Sequence, residues 1–286
     1  MSMVKVAALQ MRSTTDVGRN IEDFEQLVRQ AAAAGAVYVQ SPEMTGCLVR
    51  DRAALKAQIM AQDEDPVSAR AARLAAELGI HVHVGSTAIA RPDGKVANRG
   101  FLFSPDGGLV TTYDKIHMFD VDLDNGESWR ESATYEPGRH TVVAQLPFAK
   151  LGMAVCYDLR FPQLFRAQAM AGAEILTVPA AFTRQTGEAH WHILLRARAI
   201  ENGAWVVTAA QAGLHEDGRE TYGHSMIVDP WGRIVAEAKG DGPEVVMAEI
   251  DVAASAEARK KIPNLKNARE FEVSMAAADT PERRAG

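Results

Sequence analysis

The feature that most constrains this chain is a repeated change of hydrophobic period. Short β-rich runs alternate with stretches whose apolar residues recur at helical spacing. Residues 4–9 read as a strand. Residues 20–34 then bring Ile21, Phe24, Leu27, Val28 and Ala31 onto one face, and Gly35 closes that helix. A second strand, 37–40, runs into the polar turn Ser41-Pro42-Glu43, and a second helix, 66–78, stops at Gly79. Strands separated by helices must bury their apolar faces in layers, so this order implies an α/β protein with helices packed outside its sheets.

From residue 80 the period falls to two. Strands at 80–90, 98–103 and 109–113 are joined by Pro92-Asp93-Gly94 and Pro105-Asp106-Gly107, both turn formers. Residues 115–140 form a long polar connection, and loops of that length inside a compact domain are commonly functional. Strands return at 142–146 and 151–155, the second apolar throughout, as in a sheet covered on both faces. Helices at 163–171 and 189–202 alternate with strands at 175–178 and 204–210, and strands at 226–228, 234–238 and 245–250 close the series. No repeat or linker divides the chain, which reads as one domain over residues 1–275 with a frayed polar tail at 276–286. At 286 residues it is long for a single domain and can bury a sizeable core without staples.

The formal net charge of −6 argues against an electrostatic nucleic-acid binder. No run reaches the roughly 18 apolar residues of a membrane span. Two cysteines, Cys47 and Cys156, are far too few for a disulfide scaffold and point to a reducing compartment. With no signal-like run at residues 1–11, the expected location is the cytoplasm.

Three reactive residue types stand just after strands, where side chains of α/β proteins emerge above a rigid sheet. Cys156 follows the buried run Leu151-Gly-Met-Ala-Val155, Glu43 follows the second strand, and Lys115 follows Tyr113-Asp114. Taken singly, a cysteine is more often an inert packing group, and a Glu or Lys a solvated charge. Taken together they suit amide hydrolysis. A thiolate attacks the carbonyl, a carboxylate takes the thiol proton and returns it to the leaving amine, and an ammonium with the Tyr157 N–H steadies the oxyanion. The ammonium is also expected to lower the thiol pKa.

Ser41-Pro42-Glu43, Tyr113-Asp-Lys115-Ile-His117-Met-Phe-Asp120 and Gly152-Met-Ala-Val-Cys156-Tyr157-Asp-Leu-Arg160-Phe-Pro162 resemble the three blocks of the nitrilase superfamily of carbon–nitrogen hydrolases, in order and over about residues 4–270. The resemblance implies a four-layer α-β-β-α sandwich, a Glu43 base, a Lys115 oxyanion cation and a Cys156 acyl-enzyme. It also implies no metal or organic cofactor and a homodimer or larger homo-oligomer. Through Trp129-Arg-Glu131-Ser-Ala-Thr-Tyr-Glu136, it assigns a second glutamate to Glu131, with Glu136 the weaker candidate. Residues 180–191, 195–201 and 222–232 are similar to the branch that hydrolyses small ω-amides of 2-oxo acids. Deaminated glutathione is the first substrate this implies, with 2-oxoglutaramate and N-carbamoyl amines as alternatives. His117, Tyr157, Phe182 and Thr183 are implied pocket liners. Arg160 is either a carboxylate binder, for which its planar fork is suited, or an ion-pair partner of Asp158 or another nearby acid. Residues 44–51 depart from the family pattern, and Ser41 replaces a common leucine.

Other candidates carry less. Cys47 reads as a packing thiol. His81 and His83 share a strand face but have no third metal ligand at recognisable spacing. His190 and His192 lie two apart on a helix and do not face each other. A Cys–His hydrolase would place its cysteine in a Gly-x-Cys-x-Gly elbow, and Ala154 and Asp158 stand at those glycine positions. A binding module with a dead site would have no need of Glu43, Lys115 and Cys156 together.

Overall fold

The computed structural model describes residues 3–123, 126 and 128–276, so the expected tail lies outside the described residues apart from Ala276. Five strands come first: β1 (Met3–Gln10), β2 (Tyr38–Gln40), β3 (His81–Ala90), β4 (Val96–Phe103) and β5 (Leu109–Asp114). A small hairpin, β6 (Asp120–Asp122) and β7 (Ser128–Arg130), interrupts the long polar connection. Then follow β8 (Val142–Gln145), β9 (Lys150–Met153), β10 (Ile175–Thr177), β11 (Trp205–Thr208), β12 (Ala212–Leu214), β13 (Glu220–Tyr222), β14 (Met226–Val228), β15 (Ile234–Glu237) and β16 (Glu244–Asp251). The helices are α1 (Val17–Ala33), α2 (Arg52–Lys56), α3 (Pro66–Leu78), α4 (Pro162–Met170), α5 (Arg184–Asn202) and α6 (Ala253–Lys261).

Two six-stranded sheets form the centre, in the orders β16-β1-β2-β3-β4-β5 and β15-β14-β11-β10-β9-β8. The alternation along β1 assigns its faces. Ala7 and Leu9 pack with Phe24 and Val28 of α1 and Leu74 of α3. Val4, Val6 and Ala8 point the other way, into one cluster with Leu151, Ile175 and Val206 of the second sheet. Leu164 and Phe165 of α4 and Trp191 and Leu195 of α5 belong to that same cluster and cover the far side. The layers are therefore helix, sheet, sheet, helix, the expected sandwich.

Local chemistry sets most element ends. Asp16 caps α1 by accepting from the Arg19 N–H at 3.0 Å, so this helix starts three residues before the apolar pattern does. Asp65 caps α3, Pro66 opens it, and Gly79 ends it at φ 66°. Helix α5 begins at Arg184, not at 189 as the sequence suggested, because Gly187 is not a breaker there. A Cβ on Gly187 would lie 2.2 Å from the Tyr222 ring, so glycine is needed for packing within the first turns. The short elements α2, α6 and the β12–β13 hairpin carry too few periodic residues to be read from the sequence.

The pairing directions decide which ends meet. Strand β2 runs parallel to β3, which is antiparallel to β4, which is antiparallel to β5. The carboxyl ends of β2 and β5 therefore share one edge of the first sheet. Strands β9 and β10 run parallel to each other in the second sheet.

Candidate active site

Glu43 stands three residues past β2 and is 5% exposed. Its turn is held against the sheet because Ser41 N–H donates to the His83 carbonyl at 2.9 Å, and because Gly85 lets it approach. A Cβ on Gly85 would lie 2.1 Å from the Ser41 carbonyl oxygen. The carboxylate is fully engaged. Oε1 accepts from Lys115 Nζ at 3.0 Å and Asn98 Nδ2 at 2.9 Å, and Oε2 accepts from the Ala181 N–H, just past β10, at 2.9 Å.

Lys115, 2% exposed, follows β5 directly and lies between two carboxylates. Its Nζ donates to both Glu131 oxygens, at 3.0 and 2.7 Å, as well as to Glu43. Glu131 sits in a single 3₁₀ turn and also accepts from Phe119 N–H at 2.7 Å and Asn98 Nδ2 at 3.2 Å. Glu136 is elsewhere: it pairs with Lys95. Of the two glutamates proposed from the long connection, only Glu131 meets the lysine.

Cys156 opens a 3₁₀ turn over Cys156–Arg160 and adopts φ 50°, a left-handed conformation that a cysteine rarely takes. Its N–H donates to the Pro179 carbonyl at 2.9 Å. Asp158, fully buried, secures this turn by accepting from Tyr113 OH at 2.7 Å, Val155 N–H at 2.9 Å and His117 N–H at 3.0 Å, with His117 Nδ1 at 2.7 Å. This buried carboxylate ties β5, which delivers Lys115, to the turn that delivers Cys156.

The charges settle by environment. Burial disfavours ionising Glu43, but Lys115 beside it, with hydrogen bonds from Cys156, Lys115 and Asn98, outweighs burial and holds its pKa below the usual range. Burial likewise disfavours charging Lys115, and Glu131, Glu43 and Cys156 reverse that and hold its pKa well above the usual value. Lys115 lowers the thiol pKa as expected from the sequence, but larger effects outweigh it. Burial first, and the Glu43 charge second, raise the Cys156 pKa well above normal, and Lys115 only partly opposes them. These directions favour a resting carboxylate, ammonium and neutral thiol.

A cavity of about 650 Å³ opens over these groups. Glu43, Lys115, Glu131 and Cys156 line it, as do Tyr157, Phe182 and Thr183 among the expected liners. The atypical segment is also in the wall, through Met44, Cys47, Leu48, Val49 and Arg50. Cys47 is 5% exposed, and burial pushes its thiol up to about 11, as suits a packing thiol. Two expected pocket residues are not among those that line this cavity. His117 stacks on Phe161 at 3.5 Å between ring centroids and serves Asp158. Arg160 lies over the Phe182 and Tyr157 rings at 5.4 and 5.9 Å and contacts His190 Nδ1 at 3.3 Å; it makes no ion pair with Asp158.

Sequence reasoning missed Asn98, which bridges Glu43 and Glu131, although an asparagine inside an apolar strand is a signal in itself. It also missed Arg219, a wall residue on a short turn with no motif of its own. His81 and His83 are buried between the sheets, and burial drives His83 down to about 3, neutral beside Tyr38 OH at 2.7 Å. Among the described residues, the group with metal-ligand chemistry and spacing is His192, His224 and Glu237, within 4.8 Å of one another. Both imidazoles sit 2.7 Å from a single Glu237 oxygen, so hydrogen bonds already satisfy the group. No helix among the described residues is long and apolar enough to cross a membrane.

The geometry can be set beside known proteins. Residues 5–260 match the family model for carbon–nitrogen hydrolase. The chain is 41% identical over 275 residues to the deaminated glutathione amidase of Yersinia enterocolitica, covering 94% of each chain. It is 33% identical over 275 residues to the omega-amidase NIT2 of Danio rerio, covering 94% of this chain and 96% of that one. The crystal structure of Saccharomyces cerevisiae Nit3, a member of branch 10 of the nitrilase superfamily, superposes with a TM-score of 0.82 at 29% identity, covering 91% of this chain and 94% of that one. Sandwich, site order and sequence agree: the chain belongs to the carbon–nitrogen hydrolase family, within the nitrilase superfamily.

Proposed function

We propose that this chain is a cysteine-dependent amidase acting on a small ω-amide of a 2-oxo dicarboxylic acid, deaminated glutathione foremost. Glu43 takes the thiol proton as Cys156 sulfur bonds to the amide carbon. Lys115 and the Tyr157 N–H hold the tetrahedral oxyanion, and Glu131 positions Lys115. Glu43 then returns the proton to the amine as the carbon–nitrogen bond breaks. Water, deprotonated by Glu43, hydrolyses the thioester and frees the acid and the thiol. The observation that carries this reading is the Lys115 ammonium, 2.7–3.0 Å from the Glu43 and Glu131 carboxylates, in the wall of the cavity that Cys156 also lines.

The names of the relatives support the substrate. Cleavage of deaminated glutathione would yield 2-oxoglutarate and cysteinylglycine. The similarity to the Danio rerio omega-amidase favours a second reading, release of ammonia from 2-oxoglutaramate. Turnover assayed side by side on deaminated glutathione, 2-oxoglutaramate and an N-carbamoyl amine separates them. Hydrolysis of deaminated glutathione at the highest kcat/KM is expected. Turnover of the carbamoyl compound alone would remove the substrate assignment and leave the chemistry standing.

Residues 1–275 are read here as one domain that self-associates. Ile193 and Ile200, one heptad apart on α5, are exposed, and Gly232 beside the exposed Trp231 packs against Ile200; these exposed apolar side chains support association. A monomer by light scattering would sink that part.

A further inference from the structure

The outer end of the cavity carries a feature that the amide chemistry does not use. Two guanidinium groups lie over the Trp129 ring, Arg219 at 4.5 Å and Arg50 at 4.6 Å from its centroid. Arg50 is exposed at the rim, while the Arg219 side chain is only 16% exposed. The turn between β12 and β13 holds its backbone, with His215 N–H donating to the Arg219 carbonyl at 2.8 Å and Arg219 N–H to Asp217 Oδ1 at 2.9 Å.

The Arg219 guanidinium itself is poorly satisfied. It forms an ion pair with the nearly buried Asp217, Oδ2 standing 3.7 Å from Nη2 and too far for a hydrogen bond, and the buried Nε has no hydrogen-bond partner. A buried donor without an acceptor is costly, so such a group gains much when a ligand brings oxygens to it. The neighbouring Arg130 is not available in the same way, since Asp122 binds it through both oxygens at 2.9 Å. The floor sets two carboxylates, Glu43 and Glu131, against one ammonium, so a permanently charged ligand carboxylate is repelled there, whereas the transient oxyanion faces Lys115. A ligand carboxylate is therefore driven to the rim, where a planar guanidinium fork fits it.

We infer that Arg219, with Arg50 over the same Trp129 ring, is a carboxylate-binding site at the outer end of the cavity, and that it selects amides whose leaving amine carries a free carboxylate. This inference rests on the amidase reading above, because the scissile carbonyl must lie on the floor at Cys156 for the leaving amine to point outward. It names peptide-like amides over primary amides as the preferred class.

The test uses Cys156→Ala, which holds substrate uncleaved, and titrates deaminated glutathione against its glycine carboxamide by calorimetry. The carboxylate form is expected to bind about 10- to 100-fold tighter, the range for a charge-assisted pair. In Cys156→Ala/Arg219→Gln the two forms should bind alike, and Arg219→Lys should restore part of the difference. Equal or undetectable binding of the two forms to Cys156→Ala, or a preference that survives Arg219→Gln, overturns the inference. Failure of the amidase reading appears separately, as absence of turnover of either amide by the unaltered protein.

Discussion

At the floor of the cavity each charged group has its partners: both oxygens of Glu43 and of Glu131 accept hydrogen bonds, and Lys115 donates to both residues. At the rim, Arg219 and Arg50 rest on an indole face, and Arg219 lacks a hydrogen-bonded acceptor for its buried Nε. The floor is built from strand ends, and the rim from a turn and irregular chain. The contrast teaches that these two charged regions do different work. Compensated charge in a buried, rigid setting is preorganised for a reaction. At the rim, Arg219 is ion-paired with Asp217 but keeps an unsatisfied Nε donor, which is what the inferred carboxylate site would use.

Substitutions can break this division or sharpen it. The largest effect is expected from Cys156→Ala, which removes the nucleophile and should cut kcat by roughly 10⁴-fold or more while leaving the folded state in place. Measurable turnover in a clean preparation would mean that the floor is not the reaction centre. Next comes Glu43→Gln, which keeps the shape but not the base, and should lower kcat about 10²- to 10⁴-fold. Mass spectrometry should then find an acyl adduct on Cys156, and an adduct on Cys47 alone would reassign the nucleophile. The same residue sets the acid side of the pH profile. Its pKa is held below the ordinary carboxylate value, so activity should be retained down to that value and lost only as the pH falls through the lowered one. The smallest effects compare two glutamates of one loop. Glu131→Gln should lower kcat about 10- to 100-fold by loosening Lys115. Glu136→Gln, whose partner Lys95 is exposed, should shift stability by no more than about 0.5 kcal/mol and leave kcat as it was. Equal kcat losses in the two variants would remove the positioning role of Glu131.

Glu43, Lys115 and Cys156 were legible in the sequence because strand periodicity marks where a strand ends, and reactive side chains after strand ends stand out. Asn98 was visible but passed over, an amide in an otherwise apolar strand. The early start of α5 was not legible, because Gly187 reads as a breaker until Tyr222 is seen packed against it. The thiol pKa could not be read either, since the sequence shows that an ammonium is near but not how deeply both groups are buried.

What the sequence determined by itself was an α/β order with helices outside sheets and the identity of the reactive types, because hydrophobic period and residue chemistry are local properties; the four-layer order was implied by the family resemblance. The tertiary structure alone decided that Asp158 binds Tyr113 and His117 instead of Arg160, and that Arg219 reaches the cavity, while it put Glu131, the glutamate the resemblance named, onto Lys115. Those partners lie tens of residues apart in the chain, and only the direction of strand pairing and the packing of two sheets brings them within bonding distance.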